Sequence, residues 1–226
     1  MFEVCGAWRA AYPGACAGIL AMTHVQNPPQ HEELDRRKGD LEARLRERFA
    51  GTDRSTVGSI PVIQAYNAYY RRFKKSYHVQ FQVESIAFRG KSLPRVASLV
   101  EAMFMAELGN MLLTAGHDLQ AIRGLVRLDV ATGEEHYVLL NGQEKQLKRS
   151  DMMMRDDEGV ISSVIYGPDQ RTQITAFTQD ALFAVYAPPG IGEEAVRQHL
   201  EDIRTNVLLV APGAEVSSME VHVARS

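Results

Sequence analysis

The sequence predicts an α+β fold in a single domain, with a helical first half packed on a mostly antiparallel β-sheet. Two observations predict it. Apolar residues recur at helical spacing from Glu32 to about Gly109, and they fall into short strand-like runs after Asp118. A third is an absence: no stretch is polar and flexible enough to serve as a linker, so residues 1–226 read as one unit. No internal repeat or low-complexity segment interrupts them.

The elements follow in order. Phe2 to Val25 reads as two short strands around Tyr12-Pro13-Gly14, and Asn27-Pro28-Pro29 ends the second. From Glu32 to Phe49, Leu34, Leu41, Leu45 and Phe49 mark an amphipathic surface helix stopped at Gly51. Ser59 and Pro61 open another helix, with Ile63, Tyr66, Tyr70 and Phe73 on one face. The basic run Arg71-Arg72-Phe73-Lys74-Lys75 closes it, as suits a helix C-terminus. Val83, Ile86 and Ala87 belong to a third helix ended by Gly90. Pro94 opens a fourth, with an apolar face of Val96, Leu99, Val100, Met103 and Phe104, ended by Gly109.

Leu125 to Asp129 marks a strand turned at Thr132-Gly133. Tyr137 to Leu140 is another, and Asn141-Gly142 predicts a two-residue hairpin turn of type I′. Met152-Met153-Met154 reads as gap-filling core or edge packing. Val160–Tyr166, Gln173–Phe177 and Leu182–Tyr186 are further expected strands, broken by Pro188-Pro189-Gly190. A last helix spans Glu193 to Thr205 on Val196, Leu200 and Ile203. Val207–Val210 and Val216–Val223 close the chain as strands.

Composition narrows the function classes. The formal net charge is −3, so nucleic acid cannot be held by overall basicity and any RNA contact must come from a local patch. No apolar run approaches the roughly 18–20 residues that span a membrane. Glu3 stands where a signal peptide would be basic, so a cytoplasmic location is expected. Cys5 and Cys16 match no metal-ligand spacing and read as reduced core residues. No phosphate loop, dinucleotide fingerprint, metal cluster or Ser-His-Asp triad is present, and no cofactor is expected. Tyr69, Tyr70, Arg71, Arg72, Lys74, Lys75 and Tyr77 mix aromatic and basic residues. That mixture suits stacking on unpaired bases with phosphate contacts.

Two blocks carry a family resemblance. The first is Leu93 to Phe104, continuing through Glu107-Leu108-Gly109 and Gly116-His117-Asp118-Leu119. The second is Val138 to Ala187, with the Asp156–Gly159 turn, Ser162-Ser163-Val164-Ile165-Tyr166-Gly167, and Thr178-Gln179-Asp180-Ala181-Leu182-Phe183-Ala184. Their order resembles the editing and tRNA-binding module of the bacterial phenylalanyl-tRNA synthetase β subunit, the B3/B4 domain, and most closely its free-standing version. There the first block reads roughly Asn-x-x-Val-Asp-x-x-Asn-Tyr, Glu-x-Gly and Pro-x-His-Ala-Phe-Asp. Tyr166 to Thr172 matches an aromatic–Gly/Arg–x–x–Arg–Thr element of the free-standing relatives, and Tyr66, Tyr70 and Glu84 fall in the helical entry they share. The best-matched core is about residues 60–187.

Departures are specific. Ala97 and Phe104 replace asparagines, Glu101 replaces an aspartate, and Ala115 stands where a histidine would align. Ala184 stands where a glutamate reads a tyrosine hydroxyl. A pocket selecting tyrosine through a buried carboxylate at that position is therefore not expected.

The resemblance implies a free-standing module that binds the aminoacyl end of tRNA and hydrolyses mischarged aminoacyl-tRNA. That makes the chain a candidate deacylase, not a synthetase. A non-catalytic RNA- or tRNA-binding module and a sensor of an amino-acid-like small molecule are the alternatives. Editing attacks an activated ester, so placing a water and stabilising oxyanion charge suffice. His117 and Ser163 are the catalytic candidates. Glu84, Glu101, Asp118, Ser162, Tyr166, Arg171 and Thr172 are the substrate-binding ones, and Arg71, Arg72, Lys74 and Lys75 the RNA-binding ones. Expected partners are tRNA or aminoacyl-tRNA, with a free amino acid as the alternative ligand and neither membrane nor DNA.

Overall fold

In the computed structural model, residues 2–225 are described. Strand β1 (Phe2–Val4), helix α1 (Gly6–Ala11) and strand β2 (Cys16–Thr23) come first. The two expected strands before Val25 are thus one very short strand, a helix and one long strand, turned at Pro13-Gly14. Trp8 and Tyr12 bury beneath this turn.

Helices follow. α2 (Glu32–Arg48) is capped by His31, whose ring accepts the Leu34 amide, and it buries Leu34, Leu41 and Leu45. α3 (Arg54–Gly58) is a short addition that the sequence did not announce, capped by the Asp53 carboxylate. α4 (Pro61–Arg72) begins with proline at its first turn, and α5 (His78–Arg89) ends on Gly90 in the left-handed region. α6 is Ser98–Asn110, so Pro94 lies outside it and Gly109 inside.

The second half carries β3 (Thr114–Asp118), β4 (Val126–Val130), β5 (His136–Val138), β6 (Glu144–Gln146), β7 (Met152–Arg155), β8 (Val160–Ser163), β9 (Gly167–Pro168) and β10 (Ala181–Ala187). α7 (Glu193–Val210) and β11 (Glu215–Val223) complete it. The expected strand Val207–Val210 is the last turn of α7, and Gln173–Phe177 is irregular rather than a strand. The Asn141-Gly142 turn also differs. The Gly142 amide donates to Leu139 O at 2.8 Å, and Gly142 takes φ 79° while Asn141 does not. The loop is a three-residue turn closed by a left-handed glycine.

Two sheets stack. One is antiparallel, in the order β11-β2-β10-β3; the other is β1-β4-β7-β8-β9, antiparallel except for the β1–β4 pair. β5 and β6 form a separate hairpin. α7 lies across β2, β10 and β11, and α6 packs on α7 and β3. The opposite face of the first sheet meets the second sheet, where the Tyr186 hydroxyl bonds Ser162 Oγ. One contiguous core runs from Trp8 through α2 and α4 to Ala224, joining helices and both sheets. The fold is α+β and antiparallel-dominated, as expected, although β2 and α7 interleave the two halves.

Gly18 sets the contact between α7 and the first sheet. A Cβ there would lie 2.6 Å from Val196 Cγ1 and 3.1 Å from Leu200 Cδ1. Gly18→Val should therefore force α7 off β2 and lower stability by about 1–3 kcal/mol in urea unfolding. An unchanged midpoint would show that the helix can yield.

Candidate functional site

Beside the edge strand β3 lies a cavity of about 450 Å³. His78 and Gln82 of α5 form one wall and Val100, Met103, Phe104 and Glu107 of α6 a second. Thr114, Ala115 and Gly116 of β3 close the floor, and Val164 to Pro168 the far side, with Leu140, Gln173 and Ile174 at the mouth. The helical front half and the strand-rich back half therefore share this hollow. Gly116 keeps it open: a Cβ there would come within 2.8 Å of Ile174 Cδ1 and 3.1 Å of Met103 Sδ.

α4 and Tyr77 hold these walls in place. Tyr66 donates to Tyr186 O (2.6 Å) and accepts from Leu113 N (2.9 Å), fixing the start of β3. Tyr70 donates to Val164 O (2.7 Å), fixing the far wall. Tyr77 stacks on Tyr66 with ring centroids 4.2 Å apart and donates to Met111 O.

Glu107 is 2% exposed and accepts the Thr114 amide through Oε2 at 2.9 Å. Burial pushes its carboxyl up to about 8 against that hydrogen bond. Behind it, Thr114 Oγ1 is 2.7 Å from His199 Nε2, and Asn110 Nδ2 bridges His199 Nδ1 (3.1 Å) and Asp202 Oδ2 (2.8 Å). Because Asn110 Nδ2 can only donate, His199 Nδ1 must accept and Nε2 carries the proton. Burial holds His199 neutral, down to about 3.

Of the sequence-predicted site residues, Tyr166 lines this cavity. His117, Ser163 and Arg171 do not meet in it. His117 lies in β3, fully buried, on the face toward the second sheet. Its Nδ1 is 2.8 Å from Thr172 Oγ1, which itself bonds Asp169, and its Nε2 has no partner. Burial, then the Arg171 charge, lower its pKa to about 3, so the ring is neutral. Arg171 donates to Asp156 Oδ1 and Ala121 O, each at 2.9 Å. His117, Thr172 and Arg171 thus form one network behind β3.

The remaining candidates tie elements together. Ser163 Oγ accepts the Tyr166 amide, and Ser162 bonds Tyr186. Asp118 accepts from Gln120 N and from Thr178 Oγ1. Glu101 forms a buried ion pair with Lys38 and accepts the Val96 amide. Glu84 accepts from Gln80 and faces Arg54 at 3.4 Å. Sequence reasoning passed over Glu107, Thr114 and Gln82 as site residues. The available signal was an acid inside a helix apolar on nearly all faces, where burial of Glu demands a reason.

The basic run is partly as expected. Arg71, Arg72, Lys74 and Lys75 are exposed, whereas Tyr69, Tyr70 and Tyr77 are buried and cannot stack on bases. Arg72 covers the Tyr12 ring at 5.1 Å. The β6–β7 segment adds Lys145, Lys148 and Arg149, and Lys148 donates to Phe73 O at 2.7 Å. Arg72, Lys74, Lys148 and Arg149 line a shallow depression of about 490 Å³. Among the described residues none of these seven cations has an acidic partner. Lys75 and Lys145 lie over the Tyr166 ring at 5.5 and 4.6 Å, which brings the patch to the cavity rim.

No cluster of three or more His, Cys, Asp or Glu side chains could hold a metal among the described residues. No helix there is long and apolar enough to cross a membrane. Cys5 and Cys16 are free thiols, Cys5 only half-buried.

The neutral His199 has a measurable signature. Its folded pKa lies below the unfolded one, so the unfolded state binds the extra proton and stability falls as pH drops from about 6.5 toward 3. His199→Gln should flatten that acid limb by about 1.4 kcal/mol per pH unit relative to the parent, read by urea unfolding at stepped pH. Parallel limbs would show that His199 is not held neutral.

No curated protein matches the chain. Among solved structures it is similar to an N-terminal fragment of the phenylalanyl-tRNA synthetase β-subunit from Pyrococcus horikoshii. The TM-score is 0.50 at 12% identity, over 96% of this chain and 50% of that one. This chain spans about half the length of that fragment, and at such identity the likeness is one of fold. The B3/4 domain family model matches residues 65–205, which takes in α5, α6, the cavity and most of α7. The chain belongs to the B3/4 domain family.

Proposed function

We propose that this protein binds the aminoacyl end of tRNA. The observation that carries the reading is the continuity between the unpaired basic patch and the apolar cavity, joined at Tyr166. Phosphates neutralised along Arg71, Arg72, Lys74, Lys148 and Arg149 would lead a single-stranded end to the rim. The cavity is large enough for an amino-acid side chain and its ester, and most of its lining is apolar. Membership of the B3/4 family and the synthetase-like fold support the same partner.

The finer reading is hydrolysis of a mischarged ester. Thr114 is the one cavity-lining residue with an aliphatic hydroxyl, and that hydroxyl is engaged with His199. A bound water or the neighbouring ribose hydroxyl would attack instead, and the protein's part would be positioning. His117, Ser163, Arg171 and Thr172 would then act by shaping β3 and the β8–β9 wall, not by touching the ester.

Two measurements test this. Replacing Arg71, Arg72, Lys74 and Lys75 together with Gln should weaken binding of aminoacyl-tRNA at least 10-fold and make the salt dependence shallower. Unchanged affinity and slope would remove the patch from the interface. A panel of mischarged tRNAs should show at least one deacylated faster than its cognate counterpart; no turnover on any would leave a binding module without hydrolysis.

A further inference from the structure

We infer that Glu107 is the receptor for an ammonium group, so that the cavity takes an amino acid whose carboxyl is esterified or amidated and rejects the free amino acid. The inference rests on reading the cavity as the seat of an aminoacyl end, and it narrows what that seat accepts.

Charge is the first argument. Glu107 is the one acidic side chain lining the cavity, and no Lys or Arg lines it. An aminoacyl ester carries a cationic amine and no carboxylate, which complements such a wall. A free amino acid brings a carboxylate that, once inside, would lose its water with no cation among the lining residues to receive it, the nearest being Lys75 and Lys145 outside at the rim.

Hydrogen-bonding capacity is the second. One oxygen of Glu107 holds the Thr114 amide, and the carboxyl has no further partner among the described residues. Gln82, in the adjoining wall, buries Oε1 with no partner either. Once the carboxyl is ionised both unspent atoms are acceptors, and an ammonium offers three donors and no acceptor. Val100, Met103, Phe104, Val164 and Ile174 make the rest of the seat suit an apolar side chain.

The surroundings of Glu107 supply no competing cation. Tyr66, Tyr70 and Tyr77 approach from α4 and the start of α5. His199 of α7 stands behind Thr114 and is neutral, and His78 stands on α5. With the seat empty, burial keeps the carboxyl protonated at neutral pH, at about 8. An arriving ammonium would ionise it, so binding would release a proton to solvent.

The test is calorimetric titration of the whole chain at pH 6.5 with L-phenylalaninamide, L-leucinamide, N-acetyl-L-phenylalaninamide and L-phenylalanine, in two buffers of different ionisation enthalpy. At least one free-amine amide should bind at least 10-fold more tightly than both its N-acetyl counterpart and the free acid, with close to one proton released. Glu107→Gln should cost the amide at least 10-fold and abolish the proton release. Equal binding of the N-acetyl amide, or of the free acid, overturns the ammonium assignment while leaving the cavity as a seat. No binding by any of the four overturns it as well; retained tRNA affinity would then show that the patch reading stands alone. The comparison of probes on the unaltered chain does not depend on whether the variant folds.

Discussion

Three tyrosine hydroxyls on one helix hold the two sheets and the cavity in register. Tyr66, Tyr69 and Tyr70 of α4 reach β10 and β3, β7, and the end of β8, respectively. Tyr69 accepts the Met152 amide at 2.7 Å while donating to the buried Asp151 carboxyl. Each bond contributes only about 0.5–1.5 kcal/mol net, but losing one strands buried backbone groups at about 1–3 kcal/mol each. The helix therefore cannot shift without opening several orphans at once. This matters for the site because β3 and Val164–Pro168 line opposite sides of the cavity. α4 is what sets the width of the hollow between them.

The electrostatic layout follows from where charge can be afforded. Arg171 is consumed by Asp156, Asp169 and Glu158, and Lys38 by Asp35 and Glu101. Cations near the cavity remain unspent because no acid faces them. In a chain with net charge −3, seven cations without acidic partners in one region are a local departure from the overall balance. Such a patch would orient a polyanion's encounter as well as strengthen it.

Much of the fold was legible because its helices carry long periodic faces. Leu34, Leu41 and Leu45 announced α2, and Ile63, Tyr66 and Tyr70 announced α4. The misses have local physical causes. Thr114-Ala115-Gly116-His117-Asp118 shows no alternation, because β3 is buried on both faces and its small residues admit α6 and a cavity. Met152–Met154 is a strand of a residue type with little strand preference, covered on both faces. Val207–Val210 read as a strand because a buried helix end is apolar in sequence too. The site was less legible than the fold. Tyr166 does line the cavity, but residue type alone cannot tell a histidine aimed into a cavity from one aimed between sheets. One step of strand register decides it: Gly116 lines the hollow and His117 faces away.

That same register sets two of the departures noted in the sequence side by side. Ala115 and Ala184 stand where the resemblance expected a histidine and a glutamate, and they are direct cross-strand partners on β3 and β10. Both members of this facing pair are buried alanines, so the sheet presents no polar side chain there. A polar side chain placed at only one of them would be buried without a facing partner, which costs more than leaving both positions small. The acidic lining of the cavity comes from elsewhere, from Glu107 on the α6 wall. Glu107 stands on a helix pinned by α7 and by the Lys38–Glu101 pair, with its carboxyl positioned by the first amide of β3. A carboxyl on a helix held at both faces is better fixed than one on a loop, so the small-residue sheet and the acidic helix together give the cavity one well-positioned polar group.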